Sequence, residues 1–338
     1  MIRRRRAGTG STPRPAWELL RTEATPDRNR IVSEKVTGRQ APPLRARMVR
    51  ANGMEFGVLE AGEAGPLALC LHGFPDNAHT WRYLLPALAK AGFRAVAPFM
   101  RGYAPSAVPD DGCYTIGALA ADAVALHEVL GGDDQAVLIG HDWGAEAAYG
   151  AAAFAPERWR RVVTLAVPPL ALDPVLFSDY EQLKRFFYIF FFRDPAVSAE
   201  AVVAADGMAF IERLWRDWSP GYDAAEHLAL VKQSLQQPAS LKAAIGYYRA
   251  TGIAAAPGEA GLYELAEQAA WRQAGPGDRP TLYLHGSNDG CIRAQLVHNA
   301  LHSLPPGSRL VMVPSAGHFL HLEEPDEVNR HIMAWLAG

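Results

Sequence analysis

Hydrophobic and polar positions alternate along most of the chain in a strand–helix rhythm. Met48 to Arg50 and Met54 to Leu59 flank Asn52-Gly53, which predicts two short strands joined by a tight turn. Leu67-Ala-Leu-Cys-Leu71 is a continuous apolar run of buried-strand length and ends in His72-Gly-Phe-Pro75, a turn rich in breakers. Trp81 to Lys90 reads as an amphipathic helix with Gly92 just beyond it. Phe93 to Pro98 reads as a strand, Ile116 to Leu130 as a helix closed by Gly131-Gly132, and Ala136 to Ile139 as a strand. Helix Ala145 to Ala155 and strand Val162 to Val167 continue the rhythm until Pro168-Pro169 interrupts it. From about Leu170 to Asp278 the pattern is helical, irregular and rich in aromatic residues. Strands return at Thr281 to Leu284 and Leu310 to Val313, followed by helices at Arg293 to Leu304 and Pro325 to Leu336.

Strands alternating with helices predict an α/β class domain with a mostly parallel sheet of eight strands flanked by helices. A helical cap of roughly 110 residues is inserted after the sixth strand, within the usual uncertainty of element ends. The expected organisation is a core over 46–167 and 280–338, a cap over 168–279, and a disordered basic tail over 1–45. The tail opens with Arg3 to Arg6 and runs on through Gly, Ser, Thr and Pro without an apolar period. It lacks the apolar stretch that a secretory signal needs after its arginines.

Composition changes this picture little. The 338 residues are 49% hydrophobic and 20% charged, an ordinary globular balance, and a net charge of -3 gives no electrostatic case for nucleic acid. No apolar run reaches the length of a membrane span, Phe186 to Phe192 being far too short. Three scattered cysteines, Cys70, Cys113 and Cys291, argue against a disulfide framework and for a reduced, cytoplasmic setting. A monomer and a homodimer are both compatible with these features. No histidine pair shows metal-ligand spacing with a third ligand, so neither a metal nor another cofactor is expected.

Candidate chemistry sits at strand ends, where parallel sheets place their ligands. In Val137-Leu-Ile-Gly-His-Asp-Trp-Gly-Ala-Glu146 an apolar strand runs into Gly140-His-Asp-Trp-Gly144 and then an alanine-rich helix. That is the Gly-x-nucleophile-x-Gly elbow, with Asp142 where commoner hydrolases carry Ser. An ordinary helix cap is the competing use of Asp142. Asp289 follows the seventh strand and His318 the eighth, and the chain order nucleophile, acid, histidine is that of the α/β-hydrolase triad. In that fold the loop after the third strand and the residue after the nucleophile supply oxyanion-hole N–H groups, which points to Phe74 and Trp143. Phe74, Pro75 and Trp143 are also expected to border the substrate pocket. His72 is read as a structural histidine bonding nearby loop backbone.

A carboxylate nucleophile restricts the substrate. Attack on an ester would yield an unstable anhydride, whereas attack on an sp3 carbon yields an alkyl ester, so epoxides and carbon–halogen bonds are the natural electrophiles. His318, oriented by Asp289, would then activate the water that hydrolyses the ester.

The chain resembles the α/β-hydrolase-fold epoxide hydrolases of soluble type. His72-Gly-Phe-Pro75, Arg101-Gly-Tyr103, Gly140-His-Asp-Trp-Gly144, Asp289 and Gly317-His318 match that family's core motifs, and the likeness spans about residues 46 to 338. The resemblance implies two cap tyrosines that donate to the epoxide oxygen. The first falls on Tyr188, seven residues before Pro195, and the second on Tyr248 in Tyr247-Tyr248-Arg249. Packing under the cap is the alternative role of both. The expected substrate is a small apolar epoxide, converted to a vicinal diol. The nearest rival is a haloalkane dehalogenase, for which Trp143 would give one halide donor and no second is evident. A haloacetate dehalogenase would carry Arg in place of Trp143, and a serine esterase would need Ser at 142. A non-catalytic binding protein of the same fold would have no reason to keep Asp142, Asp289 and His318 together.

Overall fold

The structure is a computed structural model that describes residues 44–250 and 261–338. The tail expected over 1–45 lies outside the described residues, save that Arg45 already opens the first strand. Strands β1 (Arg45–Ala51) and β2 (Met54–Ala61) form the hairpin expected around Asn52-Gly53, whose φ values of 45° and 74° suit that pair. Then follow β3 (Leu67–Leu71), α1 (Leu84–Lys90), β4 (Arg94–Pro98), α2 (Ile116–Val129), β5 (Val137–His141), α3 (Trp143–Phe154) and β6 (Arg161–Leu165). The chain returns to the sheet with β7 (Thr281–Gly286), α11 (Ala294–Val297), β8 (Arg309–Val313), α12 (Leu320–Glu323) and α13 (Pro325–Ala337).

The sheet order is β1-β2-β4-β3-β5-β6-β7-β8, with β2 antiparallel to both neighbours and the strands from β4 to β8 parallel. Every residue of β3 and β5 is buried, the result of covering a parallel sheet on both faces. The eight expected strands are all present. Two expected helices are shorter than the apolar pattern suggests. Trp81 to Lys90 is a 3-10 turn ending at Trp81 and then α1, which begins where Pro86 falls in its first turn and needs no N–H partner. Arg293 to Leu304 splits into α11 and a 3-10 turn over Ala300–Ser303, with Asn299, a poor helix former, at the break.

Between β6 and β7 the described residues form α4 (Asp173–Leu176), α5 (Tyr180–Arg185), α6 (Phe187–Arg193), α7 (Ala199–Trp218), α8 (Ala225–Leu235), α9 (Pro238–Ala250) and α10 (Leu262–Gln273). Helix α7 is broken over residues 205–208, where the backbone leaves helical φ/ψ. Helix α10 packs on α2 and α3, while α6, α7 and α8 pack against α9. No helix of the described residues is long and apolar enough to cross a membrane.

The Arg101-Gly-Tyr103 motif is structural. The Arg101 guanidinium is fully buried and donates Nε and Nη2 to the two oxygens of Asp122 at 2.6 and 2.7 Å. Removing one partner of such a pair costs about 3–5 kcal/mol, because the other charge stays buried alone. The Arg101 carbonyl also accepts the Tyr247 hydroxyl at 2.8 Å, which pins α9 to the sheet-end loops one residue before Tyr248.

Candidate active site

Asp142 occupies the turn between β5 and α3 with φ 53° and ψ -122°, a conformation non-glycine residues seldom adopt. It holds the N-cap position of α3, but its side chain makes no capping bond there. The tight turn depends on its glycines: a Cβ at Gly140 would lie 2.0 Å from the Gly144 carbonyl oxygen. A Cβ at Gly73 would lie 2.3 Å from that of Asp142, and its absence lets the oxyanion loop close on the carboxylate. The Phe74 N–H accordingly donates to Asp142 Oδ1 at 2.7 Å. Trp143 follows as the first residue of α3.

His318 lies on the loop between β8 and α12, its N–H held by the Trp218 carbonyl at 3.0 Å. Its Nδ1 is 3.0 Å from Asp289 Oδ2, and its Nε2 is 3.5 Å from Asp142 Oδ2. Asp289 Oδ1 accepts the N–H groups of Cys291 and Ile292 at 2.7 and 2.8 Å, which fixes the carboxylate on the loop after β7. Burial disfavours a charged imidazole, yet Asp289 and Asp142 outweigh it and raise the His318 pKa to about 10. Burial also opposes the charge on Asp289, and His318 lowers its pKa in turn. Both acids thus favour the protonated form of His318.

Tyr188 on α6 and Tyr248 on α9 converge, their rings 5.5 Å apart and at 86°. Tyr248 also packs edge-on against Phe74 and Trp143, at 5.2 and 5.1 Å. Among the described residues the Tyr248 hydroxyl has no hydrogen-bond partner, and that of Tyr188 lies 3.5 Å from Cys291 Sγ. Burial pushes both phenol pKa values up, with nearby Asp142 adding to the rise, so both hydroxyls keep their protons.

Asp142, Trp143, Tyr188 and Tyr248 line one cavity that opens to solvent, with Leu176 and Phe186 among its apolar walls. Of the three residues expected at the pocket, only Trp143 lines it. Phe74 is wholly buried behind Tyr248, and the Pro75 carbonyl accepts the Trp215 indole N–H at 2.8 Å. His72 is the expected structural histidine, its Nε2 accepting the Met100 N–H at 2.9 Å.

The cavity wall holds ionisable residues that the sequence reading passes over, Glu146 and Asp173 foremost. Glu146 lies one helical turn after Asp142, a spacing that signals a shared face. Burial, reinforced by Asp173 and Asp142, pushes its carboxyl well above the usual range, and burial raises Asp173 to about 6.

A family model described as alpha/beta hydrolase fold matches residues 66–325. Epoxide hydrolase A of Mycobacterium tuberculosis is 30% identical over 314 residues, which cover 86% of this chain and 97% of that protein. The chain belongs to the α/β hydrolase fold family. It is a hydrolase, and the likeness to epoxide hydrolases read from its motifs is borne out. A solved structure of epoxide hydrolase A from Mycobacterium thermoresistibile superposes with a TM-score of 0.69 at 28% identity, covering 87% of this chain and 98% of that one. Epoxide hydrolase VrEH1 from Vigna radiata gives 0.69 at 27%, covering 89% and 99%.

Proposed function

We propose that this hydrolase opens a small-molecule epoxide to a vicinal diol through a covalent ester on Asp142. Asp142 and two proton-bearing tyrosines line one cavity, with the His318–Asp289 pair reaching Asp142 at 3.5 Å, and that arrangement carries the reading. Oδ1 is engaged by the Phe74 N–H, which leaves Oδ2 to attack a ring carbon. The carbon–oxygen bond breaks, and the alkoxide takes a proton from Tyr248 or Tyr188.

The ester then sets up its own hydrolysis. Esterification removes the negative charge of Asp142, one of the two that favour the proton on His318, so its pKa falls, its proton returns to the tyrosinate left by ring opening, and the imidazole becomes a base. Nε2 deprotonates a water that attacks the Asp142 carbonyl carbon, while the Phe74 and Trp143 N–H groups receive the oxyanion. Collapse of the tetrahedral intermediate releases the diol.

His318→Gln tests the sequence of steps. With styrene oxide as probe the variant accumulates a protein adduct of one substrate mass, and an unmodified mass under conditions where the native enzyme turns over would overturn the reading. A bromoalkane assayed beside the epoxide distinguishes the dehalogenase alternative.

A further inference from the structure

Behind the triad lies a second convergence of polar side chains that the chemistry above does not use. Asp76 sits two residues after Phe74, His141 directly before Asp142, and His321 three residues after His318. All three are buried, and a donor atom of each lies within 4.8 Å of the others. Sequence spacing hides the set, since Asp76 lies in the loop after β3, His141 ends β5 and His321 lies in α12.

Each has one side well satisfied. His141 Nε2 meets the His318 carbonyl at 3.0 Å, so Nε2 carries the proton and Nδ1 is a lone pair. Arg82 Nη1 donates to His227 Nδ1 at 2.9 Å, so the other ring nitrogen donates to Asp76 Oδ1 at 2.6 Å. Thr80 Oγ1 lies 2.5 Å from His321 Nε2. The remaining atoms, Asp76 Oδ2, His141 Nδ1 and His321 Nδ1, are buried and have no hydrogen-bond partner among the described residues. Leaving a buried polar atom unpaired costs about 1–3 kcal/mol, and here three such atoms belong to one cluster.

We propose that Asp76, His141 and His321 are positioning residues that hold one buried water in common. The water donates to Asp76 Oδ2 and to His141 Nδ1 and accepts the proton of His321 Nδ1, with the Thr80 hydroxyl donating to Nε2. One molecule thus satisfies all three atoms, a normal coordination for an internal water. Partners at hydrogen-bond length around a tetrahedral oxygen stand about 4.6 Å apart, inside the 4.8 Å that bounds the cluster. A zinc ion would draw its ligands to about 3.4 Å and place two positive charges against a single carboxylate already linked through His227 to Arg82. The bridge ties together the loop that bears the oxyanion donor, the elbow, and the loop that bears the base. Its effect falls on His318, whose carbonyl is held by His141.

A crystal structure of the native protein, with data collected also at the zinc absorption edge, tests the site itself. The expected result is one water within hydrogen-bond distance of all three atoms and no anomalous signal. A metal peak, or direct contacts with no density between the three, overturns the proposal. The positioning role rests on the ester mechanism and is read by single-turnover kinetics. His321→Leu should form the Asp142 ester at full stoichiometry and hydrolyse it about tenfold more slowly, the scale of a slight misplacement of a reacting group. His321→Gln, which keeps a donor and an acceptor, should restore hydrolysis to within about twofold of native. Equal slowing of both steps, or equal behaviour of the two variants, overturns the role. If the native enzyme forms no ester with any epoxide, the mechanism fails, while the density still decides the water.

Discussion

The two sides of the cavity are held in place by different forces. On the sheet side, Asp142, Asp289 and His318 are anchored by hydrogen bonds from backbone or from one another, and all three are nearly or wholly buried. On the helical side, Tyr188 and Tyr248 are located mainly by ring packing, and the Tyr248 hydroxyl is unpaired. Hydrogen bonds set the position of an atom, whereas edge-on rings set a plane and leave the hydroxyl some travel. The sheet side is thus held in one geometry, whereas the helical side leaves its hydroxyls room to shift.

That contrast predicts a gradient of effects. Asp142→Asn should lower kcat with an aryl epoxide roughly ten-thousandfold, because it removes the carboxylate oxygen that would form the ester. Asp289→Asn should lower kcat about a hundredfold or more through loss of the imidazole's orienting partner, seen as slow decay of a fully formed ester. Tyr248→Phe should slow ester formation about ten- to a hundredfold while leaving ester hydrolysis near native in single-turnover traces. An effect on hydrolysis as large as that on formation would break the division between the two sides.

The pH dependence sharpens the same comparison. His318 is raised from 6.5 to about 10, so its contribution to stability is complete below pH 6.5 and is lost as the pH rises through about 10. Thermal melts of the native protein should fall over that window, and Asp289→Asn should flatten the fall. The smallest effect belongs to the cavity wall. Asp173, raised to about 6 by burial, is neutral below that pH, so KM for an apolar epoxide should rise about two- to threefold as pH passes through 6. Asp173→Asn should remove that inflection.

Most of the architecture was legible before any coordinates. The eight strands announced themselves through local apolar runs, and the elbow through glycines two residues on either side of Asp142. Asp289 and His318 needed only their places after the seventh and eighth strands. Features written into consecutive residues survive in the sequence because backbone geometry and burial period act over a few positions.

Tertiary structure decided what depends on distant segments meeting. It showed that Phe74 offers its N–H to Asp142 while its ring stays behind Tyr248, and that Pro75 stands outside the cavity. It brought Asp173 to the same wall as Glu146, which raises the Glu146 pKa through a neighbour 27 positions away in the chain. It gathered Asp76, His141 and His321 from the loop after β3, the end of β5 and α12 into one buried cluster. The sequence alone determined the elbow and the order of the reacting groups, because those are properties of short stretches. The environment that sets their charges and holds them in register arises only when the sheet aligns its strand ends and the helices close over them.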